Sequence, residues 1–262
     1  MVRRRLHRVA GAEPIGPYTL LRLERGDSEP GEPGQFFMLE APGRVLPRPM
    51  SLCLATRAEL AFLIDPIGPG TSALCELEQG EELHLLGPLG HGFDLAVERP
   101  LLVGGGIGLA PLPFLSKRLA RAGKGRPPAI LGFRSEWHAE AAALLPDAEV
   151  CIEPTFVTAL LPDERHDVLA CGPEPMLVAL RVLVPTAQLA WESPMACGYG
   201  ACHGCVVELD GELRRLCVDG PVLRHGGTHG SPTSPLLRRA GTASRTRAPA
   251  GRAGDSAWSV RP

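Results

Sequence analysis

Residues Pro100-Leu101-Leu102-Val103-Gly104-Gly105-Gly106-Ile107-Gly108 carry an apolar run straight into a glycine-rich turn. Segment 110–122 then has the apolar spacing of a helix. A buried strand, a glycine turn and a helix in that order open a βα unit of a parallel sheet. Glycine lets backbone approach a phosphate, and a helix N-terminus offers it free N–H groups. The match to G-x-G-x-x-G is not strict, because Leu109 stands where the third glycine would fall. A tight strand–helix turn is the plainer reading of the same glycines.

The pattern continues toward the C-terminus. Segments 129–133, 149–153 and 167–170 read as strands, and 137–145 as a helix. This alternation predicts a parallel α/β domain over 98–190. Val168-Leu169-Ala170 runs into Cys171-Gly172-Pro173-Glu174-Pro175-Met176. Ligands of open α/β sheets sit at such carboxyl ends, so Cys171 is a candidate contact for a nicotinamide ring. The alternative is a buried thiol before a Pro-initiated helix. Arg134 and Ser135 follow the second strand and could meet a 2′-phosphate, which leaves NAD and NADP both open.

Toward the N-terminus, residues 1–97 read as β-rich. Segments 18–24, 35–40, 60–64 and 82–86 look like short strands. Gly and Pro clusters at 29–34, 41–43, 68–70 and 87–92 punctuate them. Many short strands with such turns suggest a barrel or sandwich. Arg48-Pro49-Met50-Ser51 sets a guanidinium and a hydroxyl around a rigid proline, and Arg suits phosphate. Gly68-Pro69-Gly70-Thr71 reads as a turn into a helix near Ser72, a second anion site. A solvated Arg and an ordinary turn are the bland alternatives.

Beyond residue 190 the chain changes to Cys197-Gly198-Tyr199-Gly200-Ala201-Cys202-His203-Gly204-Cys205, eleven further residues, and Cys217. C-x4-C-x2-C…C is the ligand spacing of plant-type 2Fe-2S clusters. The glycines allow the tight loop and expose amides that can hydrogen-bond sulfur. A zinc site is the alternative, although zinc loops favour paired C-x2-C knuckles. His203 has no second histidine similarly placed and reads as a surface residue. Met195, Ala196 and Ala201 are expected to keep water from the cluster. Cys53 and Cys151 lie in apolar runs and read as packing residues, while Cys75 falls in a helix.

The whole chain has a net charge of −2, which favours neither nucleic acid nor an anionic membrane as partner. The balance is uneven: from Arg224 onward there are seven Arg and one acid, leaving −8 for residues 1–223. That basic, Gly/Ser/Thr/Pro-rich stretch, 224–262, reads as a disordered tail or an unrelated extension. No run of about 18 apolar residues is present, and the basic N-terminus lacks an apolar signal core. A cytoplasmic protein with metal-ligating or free thiols is expected.

In this order, R-P-x-S, G-x-G-T, G-G-G-I-G and C-G-P resemble the ferredoxin–NADP reductase superfamily. The segments 195–206, 217–222 and 86–93 resemble the electron-transfer subunits of B-type dihydroorotate dehydrogenase. The resemblance covers about residues 1–222. It implies an α+β multidomain chain: an antiparallel six-stranded β-barrel for FAD over 1–97, a Rossmann-like parallel α/β domain for NAD over 98–190, and a small 2Fe-2S module over 191–223. It implies that Arg48, Pro49, Met50 and Ser51, with Leu63, Ile64, Asp65, Gly70 and Thr71, contact FAD. Gly104, Gly105, Gly106, Ile107 and Gly108, with Gly172 and Pro173, would hold NAD, and Cys171 would lie where nicotinamide meets flavin. Cys197, Cys202, Cys205 and Cys217 would ligate the cluster. The implied role is electron transfer between an FMN-containing catalytic subunit, in a two-plus-two heterotetramer, and NAD+ in pyrimidine biosynthesis. A reductase subunit serving ferredoxin, a hydrogenase or a sulfur-linked partner is the alternative. The chain departs from the family at Ile64-Asp65, where an aromatic–basic pair is frequent, and beyond Arg224.

Overall fold

A computed structural model of the chain describes residues 3–209 and 211–224. Its N-terminal part is a closed antiparallel barrel. Strands β1 (Arg3–Ile15), β2 (Tyr18–Glu24), β3 (Phe36–Leu39), β4 (Arg48–Ala55), β5 (Glu59–Ile64) and β6 (Glu82–Leu89) close in the order β1-β2-β5-β4-β3-β6. Helix α1 (Pro69–Cys75) joins β5 toward β6. The strands expected at 18–24, 35–40, 60–64 and 82–86 are present with small shifts at their ends. Strands β1 and β4 went unseen in the sequence. β1 mixes Arg with apolar residues because it serves two neighbours: Arg3 to Arg8 pair with β6, and Val9 to Ile15 pair with β2 across a bulge. β4 opens on Arg48-Pro49, and a proline at its second position hides the strand's period.

The next layer alternates strand and helix. β7 (Pro100–Gly105) runs through a 3-10 turn (Gly106–Leu109) into α2 (Leu112–Leu119). The helix expected over 110–122 is thus shorter. Pro111 and Pro113 fix its first turn, and Gly123, at φ 81°, ends the wide turn that follows Leu119. β8 (Ala129–Phe133), α3 (Glu136–Ala139), β9 (Glu149–Ile152), β10 (Asp167–Cys171), α4 (Glu174–Leu183) and β11 (Gln188–Ala190) follow. The helix expected over 137–145 is α3 continued by a 3-10 turn, Glu140–Leu144.

The cysteine-rich segment then forms a hairpin, β12 (Val206–Leu209) and β13 (Glu212–Arg215), a short α5 (Leu216–Asp219), and β14 (Val222–Arg224). β14 adds antiparallel to β11, completing a sheet of order β14-β11-β10-β7-β8-β9. Arg224, assigned to the tail on sequence, is therefore the last residue of a sheet strand, and its guanidinium pairs with Asp94 at 2.8 Å. The remainder of the expected tail lies outside the described residues.

Packing ties these parts together. β7 is buried along its whole length, as a central parallel strand should be. Leu102 faces a core shared with Tyr18 and Leu20 of the barrel, while Leu101 and Val103 face one shared with Phe36, Met38 and Leu89. Phe114 of α2 inserts into the barrel core beside Leu52 and Leu60. Each such buried side chain contributes about 1.5–3 kcal/mol.

Candidate cofactor sites

The strand order reverses direction between β7 and β10, and their carboxyl ends lie side by side with Cys171 opposite Gly104. This is the switch point at which doubly wound sheets take their ligands. The two turns interlock closely, main chain against main chain at Gly108 and with the Met176 side chain against Gly105 and Gly172. A β-carbon on Gly108 would stand 2.3 Å from the Cys171 carbonyl oxygen and 2.4 Å from Gly172 Cα. One on Gly172 would stand 3.0 Å from the Gly105 nitrogen. Gly106 takes φ +53°, a left-handed angle natural to glycine. Pro173 and Met176 pack against Gly105. Ile107 stays partly open above the loop. Such a cradle, walled by main chain, fits the pyrophosphate of a dinucleotide.

Cys171 is 2% exposed. Burial, and then the nearby Glu192 carboxylate, push its thiol well above the ordinary range, so at neutral pH it is a protonated thiol. It can pack against a ring but offers no thiolate. Glu192 itself is pushed up by burial, although part of the residue meets solvent. No sequence signal marked Glu192; only the fold brings it to Cys171.

The barrel site is built from side chains. Arg48, at the start of β4, donates to the Leu46 carbonyl at 2.8 Å. The rest of its guanidinium lies over the first turn of α1, where a β-carbon on Gly70 would meet Nε at 2.2 Å. Thr71 Oγ1 accepts from the Gly68 N–H and donates to the Gly68 carbonyl. A cation beside an open helix turn fits a phosphate. Pro49, Met50 and Ser51 follow along β4, half-buried. Leu63 and Ile64 are buried in the cores, so only their main chain could reach a flavin. Asp65 is partly open, and its carboxyl is raised by burial and pulled back by His138 and Arg134.

Arg134 and Ser135 are not free at the end of β8. Arg134 donates to His138 Nε2 at 2.7 Å, and Ser135 Oγ lies 2.8 Å from Nδ1. A guanidinium accepts nothing, so Nε2 is the acceptor and a neutral ring holds its proton on Nδ1. The ring meets Tyr18 edge-on at 6.0 Å. Burial, with Asp65 adding, raises the Tyr18 hydroxyl to about 12. The Tyr18–Asp65–Arg134–His138 group therefore bridges barrel and sheet; of it, the sequence reading singled out Asp65 and Arg134.

The four cysteines fall into an outer and an inner pair. Cys205 and Cys217 are 2% and 3% exposed, with sulfurs 3.2 Å apart. Cys202 is exposed and Cys197 partly so. Burial raises Cys197, but the backbone N–H of Cys202, then that of Tyr199, with the Cys202 thiol and the Ala201 N–H, outweigh it and bring the thiol to about 6. Burial, then the Cys205 thiol, push Cys217 up to about 12. Among the described residues no three His, Cys, Asp or Glu side chains gather closely enough to hold a single metal ion. Three cysteines of the loop with Cys217 of α5 suit a two-iron core, which takes two thiolates at each iron. Ala196 and Met195 are partly buried, Met195 packing on the adjoining core, but Ala201 is exposed and shields nothing. His203 is exposed as expected, in a left-handed conformation at φ 58°. Cys53 and Cys151 are buried, and Cys75 ends α1.

The cluster loop rests on the barrel. Gly198, at φ +80°, is so close to β3 that a β-carbon would meet Met38 Cγ at 2.5 Å. Met38 pairs across the strands with Pro49. On the other side the His91 N–H donates to the Gly220 carbonyl, and the Trp191 N–H to the Pro221 carbonyl. The strand after Cys217 is therefore in place, paired with β11.

Comparison with known proteins agrees with this geometry. Residues 192–226 match the family described as the iron–sulfur cluster binding domain of dihydroorotate dehydrogenase B. The electron transfer subunit of dihydroorotate dehydrogenase B (NAD(+)) from Clostridium perfringens is 34% identical over 205 residues, covering 72% of this chain and 83% of that one. Its counterpart from Geobacillus thermodenitrificans is 38% identical over 221 residues, covering 74% and 86%. An NADH-dependent reduced ferredoxin–NADP oxidoreductase shares the fold at TM-score 0.71 and 22% identity, over 84% of this chain and 88% of that one. Phthalate dioxygenase reductase shares it at TM-score 0.58 and 17% identity, over 69% and 64%. The chain belongs to the family of electron transfer subunits of dihydroorotate dehydrogenase B.

Proposed function

We propose that the chain carries electrons between a catalytic FMN-containing dihydroorotate dehydrogenase subunit and NAD+, as one half of a two-plus-two heterotetramer in pyrimidine biosynthesis. When bound, FAD exchanges a hydride with NAD and single electrons with a 2Fe-2S cluster. The chain's own residues supply the positions. Arg48 neutralises phosphate at the first turn of α1, and Pro49, Met50 and Ser51 line the flavin edge of β4. Gly104 to Gly108, with Gly172 and Pro173, hold a pyrophosphate by main chain. Cys171 stays protonated and packs against the ring that meets the flavin. Cys197, Cys202, Cys205 and Cys217 hold iron.

The observation that carries this reading is the contact between Gly198 and Met38, the cross-strand partner of Pro49. A single strand thus separates the cluster loop from the flavin-facing segment, a spacing suited to electron transfer. The exposed outer pair is the natural face toward a partner. No helix among the described residues is long and apolar enough to cross a membrane, in keeping with a cytoplasmic role.

Cys202→Ser tests the assignment in the co-expressed complex. Cluster absorbance and dihydroorotate-driven reduction of NAD+ should disappear, while NADH still reduces FAD. Full cluster absorbance in this variant would overturn the ligand set.

A further inference from the structure

Arg25, Arg57, Arg118 and Arg121 converge on one cleft of about 290 Å³, away from the cofactor sites. One wall is barrel: Arg25 just after β2, Pro30, and the β4–β5 turn with Ala55 and Arg57. The other is Phe114 and Arg118 of α2, with Arg121 in the turn beyond. No acidic side chain lines it.

Two of the four guanidiniums are fixed parts of the wall. Arg25 donates to the carbonyls of Ser28 and Thr56 and lies 3.8 Å from Glu29. Arg118 pairs with Glu32 at 2.6 Å and lies over the Phe114 ring at 5.7 Å. Arg57 and Arg121 have no hydrogen-bond or ion-pair partner among the described residues. With Glu29 and Glu32 set against Arg25 and Arg118, the cleft keeps two uncompensated positive charges. It does so in a body, residues 1–223, whose net charge is −8. Like charges gathered in a concave site repel, and an anion between them reverses the sign of that interaction.

We propose that this cleft binds a phosphate-bearing small molecule, its phosphate between Arg57 and Arg121 and its organic part on Pro30 and Ala55. Planar guanidinium forks match phosphate oxygens better than a point charge would. The volume is at the lower end for small-molecule sites, so the ligand is monophosphate-sized and not a dinucleotide. Its walls belong to the barrel and to α2, so an occupant braces one against the other.

The test uses the holoprotein complex with FAD and cluster in place, and saturating NAD+ to fill the glycine cradle. Phenyl phosphate, inorganic phosphate and benzoate are titrated by calorimetry at low ionic strength. One site for phenyl phosphate, tighter than for inorganic phosphate, and a rise in melting temperature are expected. Arg57→Ala with Arg121→Ala should weaken binding at least tenfold and leave the cofactor spectra unchanged, since both residues are exposed and touch no cofactor segment. The proposal is overturned by absence of binding, by unchanged affinity in the double variant, or by benzoate binding as tightly as phenyl phosphate.

Discussion

The glycine cradle between β7 and β10 and the Arg48 corner of the barrel are made of different material. The cradle is main chain against main chain, with Gly108 against Cys171 and Gly172. The barrel corner is a side chain, Arg48, laid over Gly70. Main chain in a packed sheet cannot step aside, whereas a guanidinium can swing away on its stem. Equal added volume should therefore damage the two regions unequally.

Gly108→Ala is the strongest test of this contrast. Its new methyl group meets only backbone, at 2.3–2.5 Å, so the two turns must part. The expected loss is about 3 kcal/mol of stability, and about 100-fold in NADH-driven flavin reduction, because misplacement on the ångström scale has that effect. FAD content should be normal. A variant that melts and reduces flavin like the parent would break the comparison.

Arg48→Ala comes next. On the proposed role it would remove charge-assisted hydrogen bonds to a phosphate, worth about 1.5–3 kcal/mol, so FAD should bind about 10- to 100-fold more weakly. Binding of NAD, read by equilibrium titration, should be unaffected. Gly70→Ala should act in the same direction and more gently, about tenfold or less. Its methyl group displaces the guanidinium and leaves the charge nearby. If Gly70→Ala proved worse than Arg48→Ala, the helix turn itself, and not Arg48, would be the principal phosphate contact.

The same contrast explains what the sequence could disclose. Glycines and cysteines that exist for close approach or ligation are legible locally, since few other reasons gather them at such spacing. The Gly104–Gly108 turn, the C-G-P turn and the four cysteines all show such spacing. The barrel was legible only in its alternating strands. β1 divides its pairing between two neighbours, and β4 has a proline as its second residue, so neither has a clean period. Met38 and Glu192 carry no mark at all. One is an apolar residue on a buried strand and the other an acid before the cluster loop, and each gains its role from a contact made far along the chain. Leu63 and Ile64 illustrate the converse, since residues named for cofactor contact have buried side chains.

The foot of β10 gives the smallest effect and the sharpest control. At one end of this strand Cys171 closes the cradle; at the other, Asp167 Oδ2 accepts the backbone N–H groups of Glu98 and Arg99 at 2.8 and 3.0 Å. These bonds, that from Arg99 foremost, hold its carboxyl below the usual carboxylate range against the opposing effect of burial. A depressed folded pKa means the stabilisation is present above the unfolded value of about 3.9 and fades as pH falls through the folded one. Asp167→Asn should lower stability by about 1 kcal/mol or less at neutral pH, the amount expected for partly exposed bonds. Denaturant melts of variant and parent should converge below about pH 4. NADH-driven flavin reduction should stay at the parental level, because the strand's register is set by its neighbours on both sides. A reduction defect as large as that of Gly108→Ala would mean that the cradle answers to the whole strand and not to local backbone contact.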